Sequence, residues 1–186
     1  MKKIIFLDRD GVINEDPGRF TEHGYVTNTR DFRFLPGSLA AIKDLSEAGY
    51  DIFIISNQGG ISKGLFKESD LREITDKMTG EIEKAGGRIK KVYYCTHQAS
   101  DNCDCKKPGT GLLDAAAREF GHDIRGAFFI GDGVMDIEAG HKKGLKTALL
   151  LSGKTDIKDV KSWKVKPDYI FKDLREAVCF IVKRSS

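Results

Sequence analysis

The chain is poor in the residues that would place it outside a cell or in a membrane. Four cysteines in 186 residues are too few for the disulfide framework of a small secreted scaffold. No apolar run reaches membrane-spanning length, and the one after Lys2-Lys3 extends only from Ile4 to Leu7 before Asp8 interrupts it, too short for a signal peptide. Uninterrupted blocks of Lys or Arg are also missing. The 31 basic and 28 acidic side chains are interspersed, giving a formal charge of +3, and isolated pairs such as Lys90-Lys91 and Lys142-Lys143 read as solvated faces rather than a nucleic-acid surface. The expectation is a cytoplasmic monomer with no membrane or nucleic-acid partner.

What is present is ample for a core: 40% of the residues are hydrophobic and 32% charged, in a length that suits one domain, residues 1–186. Short β-type runs at Lys3 to Leu7, Asp51 to Ser56, Lys91 to Tyr94, Ala127 to Ile130, Thr147 to Leu151 and Tyr169 to Phe171 alternate with amphipathic stretches at Gly37 to Ala48, Glu68 to Ala85, Gly111 to Phe120, Val134 to Lys143 and Asp173 to Lys183. Such alternation predicts an α/β fold, a single doubly wound parallel sheet of the Rossmann-like kind with helices on both faces. Two segments break the rhythm, Gly11 to Pro36 and Cys95 to Gly111, and long loops in a compact fold are usually functional or disordered. The stretch from Lys154 to Val165 reads as either loop or short helix.

Ligands of an open parallel sheet bind where the strands deliver their carboxyl ends. Asp8 and Asp10 follow the first strand, close enough to repel each other and to favour a divalent cation with oxygen ligands. An isolated Asp-x-Asp is more often a solvated turn. The other strand ends shift that balance: Ser56-Asn57 offers a hydroxyl and an amide for phosphate oxygens, Lys107 before Pro108 a fixed ammonium, and Gly131-Asp132-Gly133 with Asp136 further carboxylates. Each is ordinary alone. Cys95, His97, Cys103 and Cys105 supply three thiols and an imidazole, the inventory of a tetrahedral zinc site, with free thiols or a redox Cys-x-Cys as alternatives. Four protein ligands leave no open position, so the zinc would be structural. Cys179 is expected in the core, and His122 and His141 at the surface.

In that order the four motifs resemble the haloacid dehalogenase-like (HAD) phosphohydrolases over nearly the whole chain. The resemblance implies an aspartyl-phosphate phosphatase in which Asp8 is the nucleophile, Asp10 the general acid and base, Ser56, Asn57 and Lys107 the phosphate-holding groups, and Asp8, Asp10, Asp132 and Asp136 the magnesium site. A phospho-accepting receiver module is disfavoured by the second acid directly after the first strand, and a zinc-stapled binding protein without chemistry by the lack of aromatic interleaving. The intervals leave no room for a separate cap domain.

A zinc loop at this place narrows the resemblance to a subgroup holding heptose bisphosphate 7-phosphatases and histidinol-phosphate phosphatases, with a small phosphorylated metabolite as partner. His23-Gly24-Tyr25, Asn57-Gln58-Gly59-Gly60-Ile61 with Lys63-Gly64, and Ser152-Gly153-Lys154 resemble the heptose branch. The five-residue spacer between His97 and Cys103 resembles the histidinol-phosphate type, Gly133 stands where the heptose enzymes usually carry a lysine, and Lys106 replaces an arginine. The implied substrate contacts are Lys106, Arg19, His23 and Tyr25. The 7-phosphate of D-glycero-D-manno-heptose 1,7-bisphosphate is the expected target, with histidinol phosphate or another sugar or polyol phosphate as the alternative.

Overall fold

The computed structural model describes residues 2–184. Six parallel strands form one sheet in the order β3-β2-β1-β4-β5-β6: β1 (Lys3–Leu7), β2 (Tyr50–Asn57), β3 (Lys91–Cys95), β4 (Phe128–Gly131), β5 (Lys146–Leu150) and β6 (Tyr169–Phe171). The helices are α1 (Ser38–Glu47), α2 (Glu68–Lys84), α3 (Gly111–Phe120), α4 (Val134–Lys142), the single turn α5 (Ile157–Val160) and α6 (Leu174–Lys183).

Strand periodicity decides which helix covers which face. Ile5, Leu7, Ile52, Ile54, Ile130, Ala148 and Leu150 point to one side, where Ile42 and Leu45 of α1, Ile74 and Met78 of α2 and Val178 and Ile181 of α6 pack on them. Their neighbours Ile4, Phe6, Phe53, Ile55 and Phe129 point to the other, beneath Leu112, Leu113 and Ala116 of α3 and Ala139 of α4. Both faces are therefore apolar, as buried parallel strands require.

The chain winds outward from β1 to β3 and then crosses back to β4, so β1 and β4 are neighbours whose following connections leave in opposite directions. Pairing runs from Ile5 opposite Phe128 to Leu7 opposite Ile130, and Asp8 extends it by donating its N–H to Ile130 O at 2.9 Å. This switch point sets the loops carrying Asp8 and Asp132 side by side, in the crevice where such sheets bind ligands.

The observed elements refine the expected boundaries where side chains or pairing decide them. β2 continues to Asn57 because Ser56 and Asn57 still pair with Tyr94 and Cys95, which also makes Cys95 the last residue of a strand. The turn α5 is capped by Asp156, whose side chain accepts from Lys158 N. Two side chains depart from expectation. Cys179 is exposed on α6, because the apolar face of that helix is formed by Leu174, Ala177, Val178 and Ile181. The side chain of His122 is only 12% exposed, stacked on Phe120 with ring centroids 6.2 Å apart. Among the described residues no helix is long and apolar enough to cross a membrane.

Candidate active site

Asp8, the first residue after β1, is buried with its Oδ1 accepting from Arg9 N at 2.7 Å. The buried Lys107 reaches it from the far loop. Its Nζ lies 2.9 Å from Asp8 Oδ2 and 2.6 Å from Asp136 Oδ1, and donates to Ile55 O at 2.8 Å. Lys107 is in turn seated by Asn57, whose amide nitrogen donates to Lys107 O at 3.1 Å and whose oxygen accepts from Lys107 N at 3.0 Å. Asn57, expected to hold phosphate, borders the cleft and uses its amide to fix the backbone of the lysine.

Charge crowding governs this region. Burial is the main force raising Asp8 from the ordinary 3.8 to about 6; Lys107 pulls the other way, while Asp136 and Asp10 add to the rise. Burial likewise pushes Asp132 up to about 7 against the pull of Lys154. For Lys107 burial alone would depress the ammonium, yet Asp136 and Asp8 carry it above its ordinary value. One buried cation faces several buried carboxylates, and the excess of negative charge is what a divalent cation would relieve.

Oxygen atoms of Asp8, Asp132 and Asp136 lie within 4.8 Å of one another, and Asp132 Oδ1 is buried without accepting a hydrogen bond. An all-oxygen set with an unsatisfied buried acceptor fits a hard divalent cation. The carboxylate of Asp10, expected in this set, stands outside it because other partners hold it. Arg9 clamps it through Nε at 3.1 Å and Nη2 at 3.0 Å, Asn14 donates at 2.8 Å and Gln58 at 2.8 Å. Gln58 spends its second N–H on Ser56 Oγ at 3.1 Å, which leaves the Ser56 hydroxyl proton to be donated into the cleft.

Asp8, Asp10, Ser56, Asn57, Lys107, Asp132 and Asp136 border a cleft of about 200 Å³, together with Lys106, Tyr25, Asp16 and Lys154. Lys106 donates to His97 O at 3.2 Å. Tyr25 rests against Phe66, with ring centroids 6.2 Å apart. Arg19 and His23, expected at the substrate, do not border the cleft: the Arg19 guanidinium donates to Gly153 O, and His23 is half-exposed beside Glu22 at 4.0 Å. Sequence reading missed Arg9, Asn14 and Gln58 as holders of Asp10, since a buried guanidinium between two aspartates looks like any loop residue. Lys154 was visible only as part of a resemblance, without a role.

The second cluster joins the cleft through the chain itself, since Lys106 and Lys107 directly follow Cys105. Cys105 Sγ lies 3.1 Å from Cys95 Sγ, 3.3 Å from Cys103 Sγ and 3.2 Å from His97 Nδ1. A tetrahedron with bonds of about 2.3 Å has sulfur–sulfur edges of roughly 3.7 Å, so the four groups need only small shifts to close around one metal. Burial and the neighbouring thiols push Cys105 up to about 12; three thiolates cannot coexist here without a cation to hold them.

Comparison with known proteins gives these features relatives. A HAD-hydrolase-like family model matches residues 104–177. The D-glycero-beta-D-manno-heptose-1,7-bisphosphate 7-phosphatase of Pasteurella multocida is 37% identical, covering 87% of this chain and 88% of that protein. The D-glycero-alpha-D-manno-heptose-1,7-bisphosphate 7-phosphatase of Campylobacter jejuni is 35% identical over 98% and 97% of the two chains. Among solved structures, a D,D-heptose 1,7-bisphosphate phosphatase from B. bronchiseptica complexed with magnesium and phosphate superposes with a TM-score of 0.90 at 30% identity, covering 98% of this chain and 99% of that one.

The raised carboxylates make a pH test direct. In cation-free protein Asp8 and Asp132 contribute stability that is fully present below their ordinary 3.8 and is lost as pH rises through about 6 and about 7. A cation needs both ionised, so its stabilising effect has the opposite sign. Saturating magnesium should therefore raise the unfolding temperature clearly at about pH 8 and little at about pH 5; equal increments at both, measured by calorimetry, would contradict this electrostatic account.

Proposed function

The chain belongs to the haloacid dehalogenase-like phosphatases, in the family of the heptose-1,7-bisphosphate 7-phosphatases, and from that premise we propose that it releases the 7-phosphate of D-glycero-D-manno-heptose 1,7-bisphosphate through a phosphorylated Asp8. The observation that carries the mechanism is the buried Lys107 ammonium, 2.9 Å from Asp8 and 2.6 Å from Asp136. It neutralises the nucleophile at rest and lies where negative charge gathers on the transferring group. Phosphoryl transfer asks for positioning and charge compensation more than for covalent ingenuity.

Asp8 attacks phosphorus through a carboxylate oxygen, and the bond from phosphorus to the C7 oxygen breaks as the new one forms. Asp10, held in place by Arg9, Asn14 and Gln58, delivers its proton to that C7 oxygen. The same carboxylate then takes a proton from water, whose oxygen attacks phosphorus and returns Asp8 to its free form with release of inorganic phosphate. Ser56 donates its hydroxyl to a phosphoryl oxygen. Magnesium held by Asp8, Asp132 and Asp136 would supply further neutralisation of the phosphoryl oxygens. Substrate identity rests on the relatives' names and identity over nearly the full length, and the cleft's cationic border at Lys106 suits a sugar bearing two phosphates.

The Cys95, His97, Cys103 and Cys105 set is proposed to hold one structural zinc that fixes the approach of Lys106 and Lys107. Elemental analysis of protein purified without chelators should find about one zinc per chain. Cys103→Ser should lower both zinc content and thermal stability; full stability with no metal bound would remove this role.

With magnesium present the protein should release phosphate from the heptose bisphosphate, and Asp8→Asn should lose at least about a thousandfold in kcat while keeping its circular dichroism spectrum. Appreciable turnover by that variant would sink the nucleophile assignment. A preference for histidinol phosphate by more than about tenfold in kcat/KM, roughly 1.4 kcal/mol in the transition state, would reverse the substrate assignment alone.

A further inference from the structure

Three lysines border the cleft, and two of them are already engaged. Lys107 is consumed by Asp8, Asp136 and Ile55 O, and Lys106 donates to His97 O. The third, Lys154, is fixed at its root and loose at its head. Its backbone N–H donates to Asp132 Oδ2 at 3.0 Å, the next residue Thr155 donates its hydroxyl to Asp132 O, and the carbonyl of the preceding Gly153 receives Arg19. The ammonium, by contrast, makes no hydrogen bond among the described residues. It stands 3.7 Å from Asp132 Oδ1 on a side chain that is 53% exposed.

The path of that side chain depends on a missing one. A Cβ built on Gly133 would come within 3.0 Å of Lys154 Cε and 3.3 Å of its Nζ. The lysine therefore lies across the bare backbone at 133, and this glycine admits a cation that starts on the loop after β5 to the border of a cleft otherwise lined by the ends of β1 to β4 and the loops that follow them. Its tie to Asp132 is provisional. A divalent cation taken up by Asp8, Asp132 and Asp136 would satisfy Asp132 Oδ1 and repel the ammonium, releasing it toward any second anion in the cleft.

We propose that Lys154 binds the second, non-reacting phosphate of the substrate and so selects bisphosphates over monophosphates. The inference rests on the bisphosphate reading above. It concerns a residue that positions and discriminates rather than one that touches the reacting bond.

Lys154→Met keeps the backbone bond to Asp132 and removes only the charge. The ratio of kcat/KM for the heptose 1,7-bisphosphate to that for the 7-monophosphate should fall by about tenfold or more, chiefly through KM, and Lys154→Arg should recover most of it. In the Asp8→Asn background, where binding is read without turnover, Lys154→Met should weaken the calorimetric Kd for the bisphosphate by a similar factor. Equal losses on both substrates would overturn the proposal in favour of a role at Asp132 or at the transferring group, and no loss on either would overturn it outright. A wild-type enzyme without preference for the bisphosphate overturns the substrate assignment as well, whereas a preference that survives in Lys154→Met overturns only the lysine's part.

Discussion

The contact between one buried ammonium and two buried carboxylates is the constraint around which the remainder is arranged. Lys107 is 3% exposed at its side chain, Asp136 3% and Asp8 11%, and charges taken that far from water are tolerated only with partners. Removing one member would leave the others uncompensated. This explains why so much neighbouring structure serves to seat the lysine: the two bonds from Asn57, the carbonyl of Ile55 at the end of β2, and the cysteine cluster immediately upstream. Asp8 is held in place by the scaffold, and the scaffold is committed to that arrangement.

The strand order gives this constraint its location. Because β1 and β4 adjoin at the point where the winding reverses, Asp8 and Asp132 arrive from opposite halves of the chain at the same spot, and β2 and the loop after β3 bring Ser56 and Lys107 to the same edge. Asp8, Ser56 and Asp132 are thus rooted at strand ends, which are stiff, while Lys106, Tyr25 and Lys154 reach the cleft from longer connections. Under the proposed function a division of labour follows, with chemistry anchored to the sheet and recognition carried by loops.

Much of this was legible beforehand. The alternation of short apolar runs with amphipathic segments disclosed the sheet and its helices, since burial on both faces leaves an unmistakable mark in β1, β2, β4 and β5. Asp8, Asp132, Asp136, Ser56 and Lys107, which the structure brings to one cleft, and the cysteine set, which it brings to one cluster, stood out because each sits at or near a strand end or in a tight cluster. What escaped was decided by side-chain direction. Asn57 and Gln58 are adjacent polar residues of similar kind, yet one grips the Lys107 backbone and the other bridges Asp10 and Ser56. Arg19 and His23 looked suitable for an anion but point to Gly153 and Glu22. Cys179 faces outward although its helix is amphipathic, because one position along a helix turns a side chain by about a hundred degrees.

Asp132 is packed from two sides by backbone that can bear no side chain. A Cβ at Gly11, whose φ is +77°, or at Gly153 would overlap its carboxylate. Each loop is therefore restricted to glycine at its point of contact with Asp132. Side chains at these two positions are excluded by geometry, whereas Lys154 is exposed and Lys106 half-buried at the border. An exchange at the border would thus alter what the cleft meets without disturbing the packing around Asp132.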